Sequence, residues 1–220
     1  MINLNHVYKT YQAERHILRD INLSLTAPDI HMISGLSGAG KTTLFKLFIG
    51  QEKPTSGEIE ILGKKINGLT SNEFALYRQQ IGIVFQDYKL MKDETVFENL
   101  ALPLKILNTP TSTIEKKIAA LADSIGLGAY LDEYPQHLSG GEQQRIAIGR
   151  ALIHDPKIIF ADEPTGNLDP ETSQRIFTLF QHAKNNGALV LIVTHDEGLI
   201  KQTVGTNFSL RYGELKRAEA

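Results

Sequence analysis

The feature that most constrains this 220-residue chain is a glycine-rich segment, Gly35-Leu-Ser-Gly-Ala-Gly-Lys-Thr42. It follows an apolar run over 30–34 and precedes a run with helical spacing over 43–49. A strand, a glycine-rich turn and a helix start in this order direct backbone N–H groups at one point, where the helix dipole also favours an anion. Glycines permit the tight turn and let a ligand approach the backbone closely. The segment therefore predicts a phosphate-binding loop at the end of a buried strand.

The positions of this loop have distinct expected roles in binding a nucleotide. Lys41 is expected to reach the β- and γ-phosphates, and the Thr42 hydroxyl is expected to ligate Mg²⁺. The other residues expected to contact the nucleotide are Gly35, Ser37, Gly38, Ala39, Gly40 and Thr43. A chance glycine turn is the alternative, but such a pattern arises in roughly one chain in a hundred of this length when glycine makes up ~7% of residues. We therefore interpret the segment as a functional P-loop.

Composition narrows the class of protein without pointing to one activity. With 41% hydrophobic and 22% charged residues, the chain resembles ordinary globular proteins, as one large domain or two small ones. Its formal net charge of −2 gives no sign of a nucleic-acid-binding surface. Cysteine is absent, which excludes disulfides and cysteine metal sites. The longest apolar runs are far shorter than the ~20 residues needed to cross a bilayer, so any membrane role is expected to come through a partner.

Hydrophobic spacing divides the chain into a strand-rich part and a helix-rich part. Strands are predicted over 2–7, 21–25, 30–34, 57–62, 81–85, 157–161 and 188–193, and helices over 72–80, 95–104, 113–125, 142–152 and 171–184. The valine- and isoleucine-rich runs favour parallel strands that are covered on both faces. From 87 to 156 the pattern indicates a helical subdomain inserted into an α/β core, which is made of 1–86 and 157–220. A closing hairpin is predicted around Tyr212-Gly213.

Two adjacent acids follow the buried strand over 158–161. Ligand sites of open α/β sheets lie at the carboxyl ends of the strands, so these acids are expected beside the phosphate-binding loop. Asp162 is expected to hold Mg²⁺ through water, and Glu163 is expected to polarise the attacking water. The alternative is a pair of surface acids at a strand end. The P-loop upstream favours the catalytic interpretation.

A second glycine-containing helix start occurs in Leu138-Ser-Gly-Gly-Glu-Gln-Gln-Arg145. Ser139 and two glycines precede a run with helical spacing from Glu142 to Leu152, which is again a pattern typical of phosphate binding. Two helix N-termini from opposite ends of one chain cannot easily hold the same γ-phosphate. This second helix start is therefore not expected to bind the phosphate that is held by the P-loop of the same chain.

Together with the P-loop and the Asp162-Glu163 strand, the Leu138–Arg145 segment resembles the signature of ATP-binding cassette (ABC) ATPases. The resemblance covers essentially the whole chain, 1–220, and implies a P-loop NTPase fold with a RecA-like mixed sheet, an antiparallel β-subdomain and an inserted α-helical subdomain. It further implies a head-to-tail homodimer that holds two ATP molecules. Each ATP is then bound by one P-loop and by the signature of the other chain, namely Ser139, Gly140, Gly141 and Glu142.

The same resemblance implies roles for four further positions. Gln86 matches the glutamine that contacts Mg²⁺ and senses a membrane partner, and His195 matches the switch histidine that contacts the γ-phosphate. The segment 167–169, with Asp169, matches the D-loop that crosses the dimer interface. From spacing alone, Tyr11 could either stack on adenine or pack on its own hairpin, and the resemblance favours adenine stacking.

The segment 84–103 bears on the membrane partner. It is expected to form the groove that receives an integral membrane subunit, and it is similar to the bacterial cell-division ATPases of the family, with Asp87 after Gln86 as the main reason. That group implies an FtsX-like partner, control of cell-wall hydrolysis and a peripheral position on the cytoplasmic face of the inner membrane. Lipoprotein-releasing and macrolide-exporting ATPases share most of the motifs and are the alternative.

Two other classes of function are disfavoured. Soluble ABC proteins of DNA repair or translation carry coiled-coil or zinc insertions or two cassettes, whereas this chain has one cassette, no cysteine and no sustained heptads. An ATP-binding scaffold that hydrolyses little is disfavoured because Glu163 and His195 are both present.

Overall fold

A computed structural model of the chain describes residues 1–11, 16–166, 168–202 and 205–218, without the side chains of Glu197 and Gln202. The strands are β1 Ile2–Thr10, β2 His16–Leu25, β3 Ile30–Ser34, β4 Ser56–Ile61, β5 Lys64–Lys65, β6 Ile81–Val84, β7 Ile158–Asp162, β8 Leu189–Val193, β9 Asn207–Arg211 and β10 Glu214–Arg217. The helices are α1 Lys41–Phe48, α2 Ser71–Arg78, α3 Val96–Ile106, α4 Thr111–Ser124, α5 Gly140–Leu152, α6 Pro170–Asn185 and α7 Glu197–Gln202.

The strands form two sheets. An antiparallel sheet has the order β2-β1-β4-β5, and a six-stranded sheet has the order β10-β9-β3-β8-β7-β6. In the larger sheet every neighbouring pair is parallel except the β9–β10 hairpin. The α/β class, with a mixed sheet and a separate antiparallel sheet, is confirmed, and so is the hairpin at Tyr212-Gly213.

The central strands are apolar throughout because they are covered on both faces. Residues of β7 and β8 are all buried. Alternate residues face two different apolar clusters, one shared with α1 and the antiparallel sheet and one shared with α6. In the first cluster Phe48 stacks on Phe160 with ring centroids 5.4 Å apart. This double cover fixes the sheet and, with it, the positions of the loops at its carboxyl edge.

The helices α3, α4 and α5 build a third apolar cluster away from the sheets. α5 contributes to two clusters, because Ile146, like Ile153 directly after the helix, packs in the helical cluster, while Ile148 and Ala151 pack against the sheet and α6. The subdomain boundaries at 87 and 156 stay a prediction, since one helix contributes to both cores. Among the described residues, no helix has both the length and the apolar character needed to cross a membrane.

Helix starts differ in a way that bears on the site. Thr70, Thr95, Ser139 and Asp169 each cap a helix by accepting a hydrogen bond from a backbone N–H of its first turn. α1 starts instead at Gly40, which has a left-handed φ of 105° and offers no capping side chain. The first turn of α1 is therefore available to an external acceptor.

His31 provides a test of how the core responds to acid. It lies in β3 with 6% of its surface exposed, and burial lowers its pKa, although the Asp29 carboxylate and the Thr206 carbonyl oppose the shift. The unfolded chain therefore takes up a proton below pH ~6.5 that the folded chain resists, so stability is lost as the pH falls through this range. We expect His31→Gln, which cannot titrate, to weaken this acid dependence in urea unfolding between pH 5 and about 7.5.

The matched control is His182→Gln, at an exposed position of α6. If both substitutions change the slope of stability against pH equally, burial of His31 is not the cause of the acid sensitivity.

Candidate active site

Four separate segments meet at the carboxyl edge of the parallel sheet. They follow β3, β8, β7 and β6, which are four consecutive strands of the larger sheet. A cavity of about 490 Å³ lies between them. Its lining consists of Ile17, Gly35, Leu36, Ser37, Gly38, Gly40, Lys41, Thr42, Thr43, Gln86, Asp162, Glu163 and His195. The predicted P-loop, the acid pair, the glutamine and the histidine are thus brought together in one place.

The phosphate-binding loop owes its shape to glycines at two points. Gly40 combines its positive φ with close packing, because a Cβ there would lie 2.9 Å from Leu18 Cδ2. At Gly35, a Cβ would lie 2.4 Å from the carbonyl oxygen of Leu210 in β9. A side chain at either position would force the loop away from the sheet edge and so displace the uncapped start of α1.

The ammonium group of Lys41 closes the loop on itself. Nζ donates to the Gly35 carbonyl oxygen at 2.8 Å and to the Leu36 carbonyl oxygen at 3.4 Å. Charge-assisted bonds to phosphate oxygens are stronger than bonds to neutral carbonyls. A phosphate in the cavity can therefore replace these contacts, and the lysine is positioned to bind one.

Glu163 is held firmly at the end of the strand that carries it. It is 9% exposed, has a left-handed φ of 48°, and its N–H donates to the Val193 carbonyl oxygen at 2.8 Å. Its Oε2 accepts from Thr194 Oγ1 at 2.8 Å and from the His195 N–H at 3.2 Å. Its Oε1 lies 2.7 Å from His195 Nδ1. The carboxylate therefore has a fixed orientation, set by the end of β8.

This direct bond between Glu163 and His195 was not expected from the sequence, which pointed to separate roles for the two residues. With Nδ1 facing the carboxylate, Nε2 is left for another partner, and the imidazole is largely exposed beside the cavity. Thr194 was also missed, although a hydroxyl directly after an apolar strand was the available signal.

Asp162 is a buried carboxyl group at the same strand end, with 6% of its surface exposed. Burial raises its pKa to about 6, and the negative charges of Glu163 and Asp87 act in the same direction, while Lys41 opposes them. A nearby cation favours the ionised form of such a group. The carboxyl is therefore suited to a position next to a bound metal.

The donors at this edge fit Mg²⁺ bound together with a phosphate. Thr42, Gln86 and Asp162 supply a hydroxyl, an amide oxygen and a carboxyl, all of which line the one cavity. In the part of the chain that the structure describes, no group of three or more His, Cys, Asp or Glu could hold a metal alone. Mg²⁺ is commonly bound by one or two carboxylates, with substrate phosphates and waters completing its shell.

Tyr11 lies at the end of β1, with 51% of its surface exposed, and it is not among the residues that line the cavity. Its hydroxyl donates to Glu52 Oε1 at 2.6 Å, and the Lys9 ammonium lies 5.0 Å from the ring centroid. Adenine stacking by Tyr11 stays a prediction. Ile17 and Leu36 are apolar residues that do line the cavity, and sequence reasoning identified neither of them as a site residue.

The second predicted phosphate-binding start lies elsewhere. None of Ser139, Gly140, Gly141 and Glu142 lines the cavity, and the first two are exposed at the start of α5. The Glu142 carboxylate accepts from the Ser139 N–H at 2.7 Å and from its hydroxyl at 2.6 Å, bonds that lower the pKa of Glu142. This helix start is preformed, and it is separate from the P-loop of its own chain.

Asp169 caps α6, because its Oδ1 accepts from the Thr172 N–H at 2.9 Å. Hydrogen bonds from Thr172 lower the pKa of this carboxyl. Asn167, the first residue of the predicted D-loop, lies outside the described residues. The structure therefore gives Asp169 a helix-capping contact, and its role between two chains stays a prediction.

Comparisons with known proteins bear on the family. Residues 18–166 match the model of the family described as "ABC transporter". The chain is 38% identical over 220 residues to the cell division ATP-binding protein FtsE of Mycobacterium tuberculosis, covering 100% of this chain and 96% of that protein. It is 40% identical over 215 residues to FtsE of Escherichia coli K12, covering 98% and 97%.

Among solved structures, the chain is similar to the ATP-binding cassette MJ0796, whose structure is a dimeric post-hydrolysis state bound to ADP and Pi. The TM-score is 0.91 at 33% identity, and the match covers 100% of both chains. The resemblance that the motifs indicated is confirmed. This chain belongs to the ABC transporter family of ATP-binding cassettes.

Proposed function

We propose that this chain is the ATP-hydrolysing subunit of a cell-division membrane complex and acts as a homodimer. The observation that carries the proposal is the cavity that gathers Lys41, Asp162, Glu163 and His195 while excluding the chain's own Ser139. Two relatives that match nearly the whole chain are named as cell division ATP-binding proteins, and the MJ0796 cassette is described as dimeric. The lipoprotein-release and macrolide-export alternatives are less supported than the cell-division function.

Nucleotide binding rests on the loop and on the start of α1. The uncapped N–H groups of α1 and the Lys41 ammonium bind the β- and γ-phosphates. Tyr11 stacks on the adenine after its ring turns toward the cavity. When bound, Mg²⁺ offsets the negative charge of the β- and γ-phosphates. Thr42, Gln86 and Asp162 would hold it, the last through water.

Hydrolysis uses the acid and the histidine that are already in contact. Glu163 accepts a proton from the water that attacks the γ-phosphorus, and the products are ADP and phosphate. His195 orients the γ-phosphate through the nitrogen that does not face Glu163. The Thr194 hydroxyl keeps the carboxylate aimed at the cavity while these bonds change.

The dimer supplies what one cavity lacks. Ser139 of the partner subunit, at its exposed helix start, approaches the γ-phosphate together with the three residues that follow it. ATP favours the closed dimer because its γ-phosphate gains contacts from both chains only in that state. Hydrolysis removes the shared group, and the dimer relaxes.

An FtsX-like integral subunit binds in a second cavity of about 660 Å³ next to α2, β6, α3 and α5. Its lining is largely apolar and includes Phe74, Phe85, Leu102, Pro103 and Ile106, with Arg78 and Lys89 among the charged groups. This groove overlaps the segment 86–103. Binding there places the chain at the cytoplasmic face of the inner membrane as a peripheral subunit, and the ATP-driven motion regulates cell-wall hydrolysis through the partner.

Glu163→Gln tests the assignment of the base. The amide cannot take a proton, so we expect turnover to fall by about 10²- to 10³-fold while ATP still binds. Because ATP then persists, an ATP-dependent dimer should accumulate in light scattering coupled to size exclusion. Phosphate release gives the turnover.

The control for this substitution is Glu171→Gln, at an exposed position in the first turn of α6 where the side chain pairs with Arg175 at 2.6 Å. Turnover at the wild-type rate in Glu163→Gln would remove Glu163 from the role of base.

Asp162→Asn tests whether the buried carboxyl at the proposed Mg²⁺ site destabilises the nucleotide-free fold when it is ionised. The pKa of the Asp162 carboxyl is about 6 in the folded chain, compared with an ordinary value of 3.8. The protonated carboxyl therefore favours the folded state below pH ~4, and this contribution to the free energy of unfolding is lost as the pH rises to ~6. The neutral amide avoids the loss, which is on the order of 3 kcal/mol, or two pH units at about 1.4 kcal/mol each. We expect the nucleotide-free variant to be more stable than wild type above pH ~6 and to lose its Mg²⁺-dependent turnover.

Urea unfolding from pH 4.5 to about 8 measures the difference, with the exposed Asp132→Asn as the control. A stability difference that does not grow between about pH 4.5 and pH 6 contradicts the role of burial.

The docking groove is tested by a matched pair of substitutions. Ile106 and Leu76 are both 53% exposed, but only Ile106 lines the groove. Ile106→Asp places a charge against the apolar surface of a partner, so we expect the integral subunit recovered with the chain from membranes to fall at least about tenfold. Leu76→Asp should leave recovery unchanged, and equal losses in the two variants would exclude the groove as the docking site.

A further inference from the structure

The loop that follows Gln86 is held by two side chains from different helices. Arg150 of α5 donates from Nη2 to the Tyr88 carbonyl oxygen and from Nη1 to the Lys89 carbonyl oxygen, both at 2.9 Å. Its Nη1 also lies 3.4 Å from Oδ1 of Asn99 in α3. One guanidinium group thus joins the loop to both helices.

Asn99 continues this network along the same loop. It is 0% exposed, and its Nδ2 lies 3.0, 3.2 and 2.9 Å from the carbonyl oxygens of Met91, Glu94 and Thr95, which share its two N–H donors. Its Oδ1 accepts from the Met91 N–H at 2.9 Å. Backbone groups from 88 to 95 are therefore bound by the pair Arg150 and Asn99, which we call the clamp.

The loop needs this support because it is strained where Arg150 binds it. Tyr88 and Lys89 have φ angles of 61° and 49°, a left-handed conformation that is unfavourable for residues with side chains. The planar guanidinium donates to both carbonyls at once, which a lysine ammonium does less well. Burial also lowers the pKa of Arg150, because the charged guanidinium is partly removed from water.

The clamp lies between the docking groove and the signature helix start. Lys89 and Arg150 line the groove. The helix that carries Arg150 begins at Gly140, and the Tyr88 hydroxyl lies 3.3 Å from the position that a Cβ at Gly140 would occupy. The loop therefore contacts α5 near its start and near its end.

We propose that Arg150 and Asn99 are positioning residues that make the loop 88–95 move as one body with α3 and α5. A displacement at the groove is then passed to Ser139 at the other end of α5, and from there to the ATP bound by the partner subunit. This inference rests on the proposed function. It adds the residues that connect the groove to the composite ATP site.

The test compares Arg150→Met with Arg150→Lys and with Arg217→Met, a control at an exposed arginine of β10. The complex of the chain with its co-purified membrane subunit is used throughout. Hydrogen exchange of the amides in 88–95 and 139–142 is measured with ATP, together with kcat per bound nucleotide and KM for ATP.

For Arg150→Met we expect exchange in these two segments to rise about tenfold, with kcat falling about tenfold and KM changing less than about twofold. The P-loop is not touched, so nucleotide binding should persist. Arg150→Lys should recover part of both effects, and it also provides a readable variant if Arg150→Met does not fold. Arg217→Met should behave as wild type.

Three outcomes overturn the inference: exchange and kcat unchanged in both Arg150 variants, exchange rising equally over the central strands, or a change in KM alone. Failure of the proposed function gives a different result. If the wild-type complex does not hydrolyse ATP, the enzymatic assignment is lost, while hydrogen exchange still decides whether Arg150 ties the loop to α5.

Discussion

The whole site depends on the start of α1, where no side chain accepts from the first-turn N–H groups and a bound anion can do so instead. α2, α3, α5 and α6 begin with a side chain that accepts from their first turn, whereas neither Gly40 before α1 nor Pro110 before α4 supplies one. Of these two uncapped starts, only that of α1 lines the cavity. A missing cap costs about 1 kcal/mol, and a bound phosphate supplies the acceptor instead. A Cβ at Gly40 would lie 2.9 Å from Leu18 Cδ2 in the antiparallel sheet, so the sheet packs where a side chain would otherwise be. The fold and the ligand thus share one structural element.

The two acids beside the start of α1 likewise include a group that gains from a bound ligand. Asp162 and Glu163 are neighbours at the end of a fully buried strand, where burial and the charge of Glu163 make ionisation of Asp162 costly. Glu163 is stabilised by hydrogen bonds from Thr194 and from the His195 backbone. Within the described residues, the Asp162 carboxyl accepts no comparable hydrogen bond, and its pKa is raised. The protein therefore satisfies one carboxylate internally and leaves the other to gain from a cation.

Much of this site could be predicted from the sequence, because most of its residues belong to short contiguous motifs. The P-loop, the acid pair and the signature lie at the ends of strands or helices whose periodicity is clear, so the order of elements places them. The Glu163–His195 bond, the contribution of Ile17 and the clamp could not be predicted. Each depends on which atoms of distant segments meet, which strand register and helix packing decide and hydrophobic spacing does not encode.

The position of α5 explains why a second copy of the chain is needed. Ile148 and Ala151 hold the helix against the sheet and α6, Ile146 and Ile153 hold it in the helical cluster, and Arg150 ties it to the loop after Gln86. Turning its start toward its own P-loop would break all three attachments at once. Packed cores favour discrete arrangements over continuous deformation, so such a rearrangement is far more costly than docking two intact chains. We infer that the composite site arises from this rigidity: the signature is fixed too firmly to serve its own nucleotide and is exposed enough to serve another.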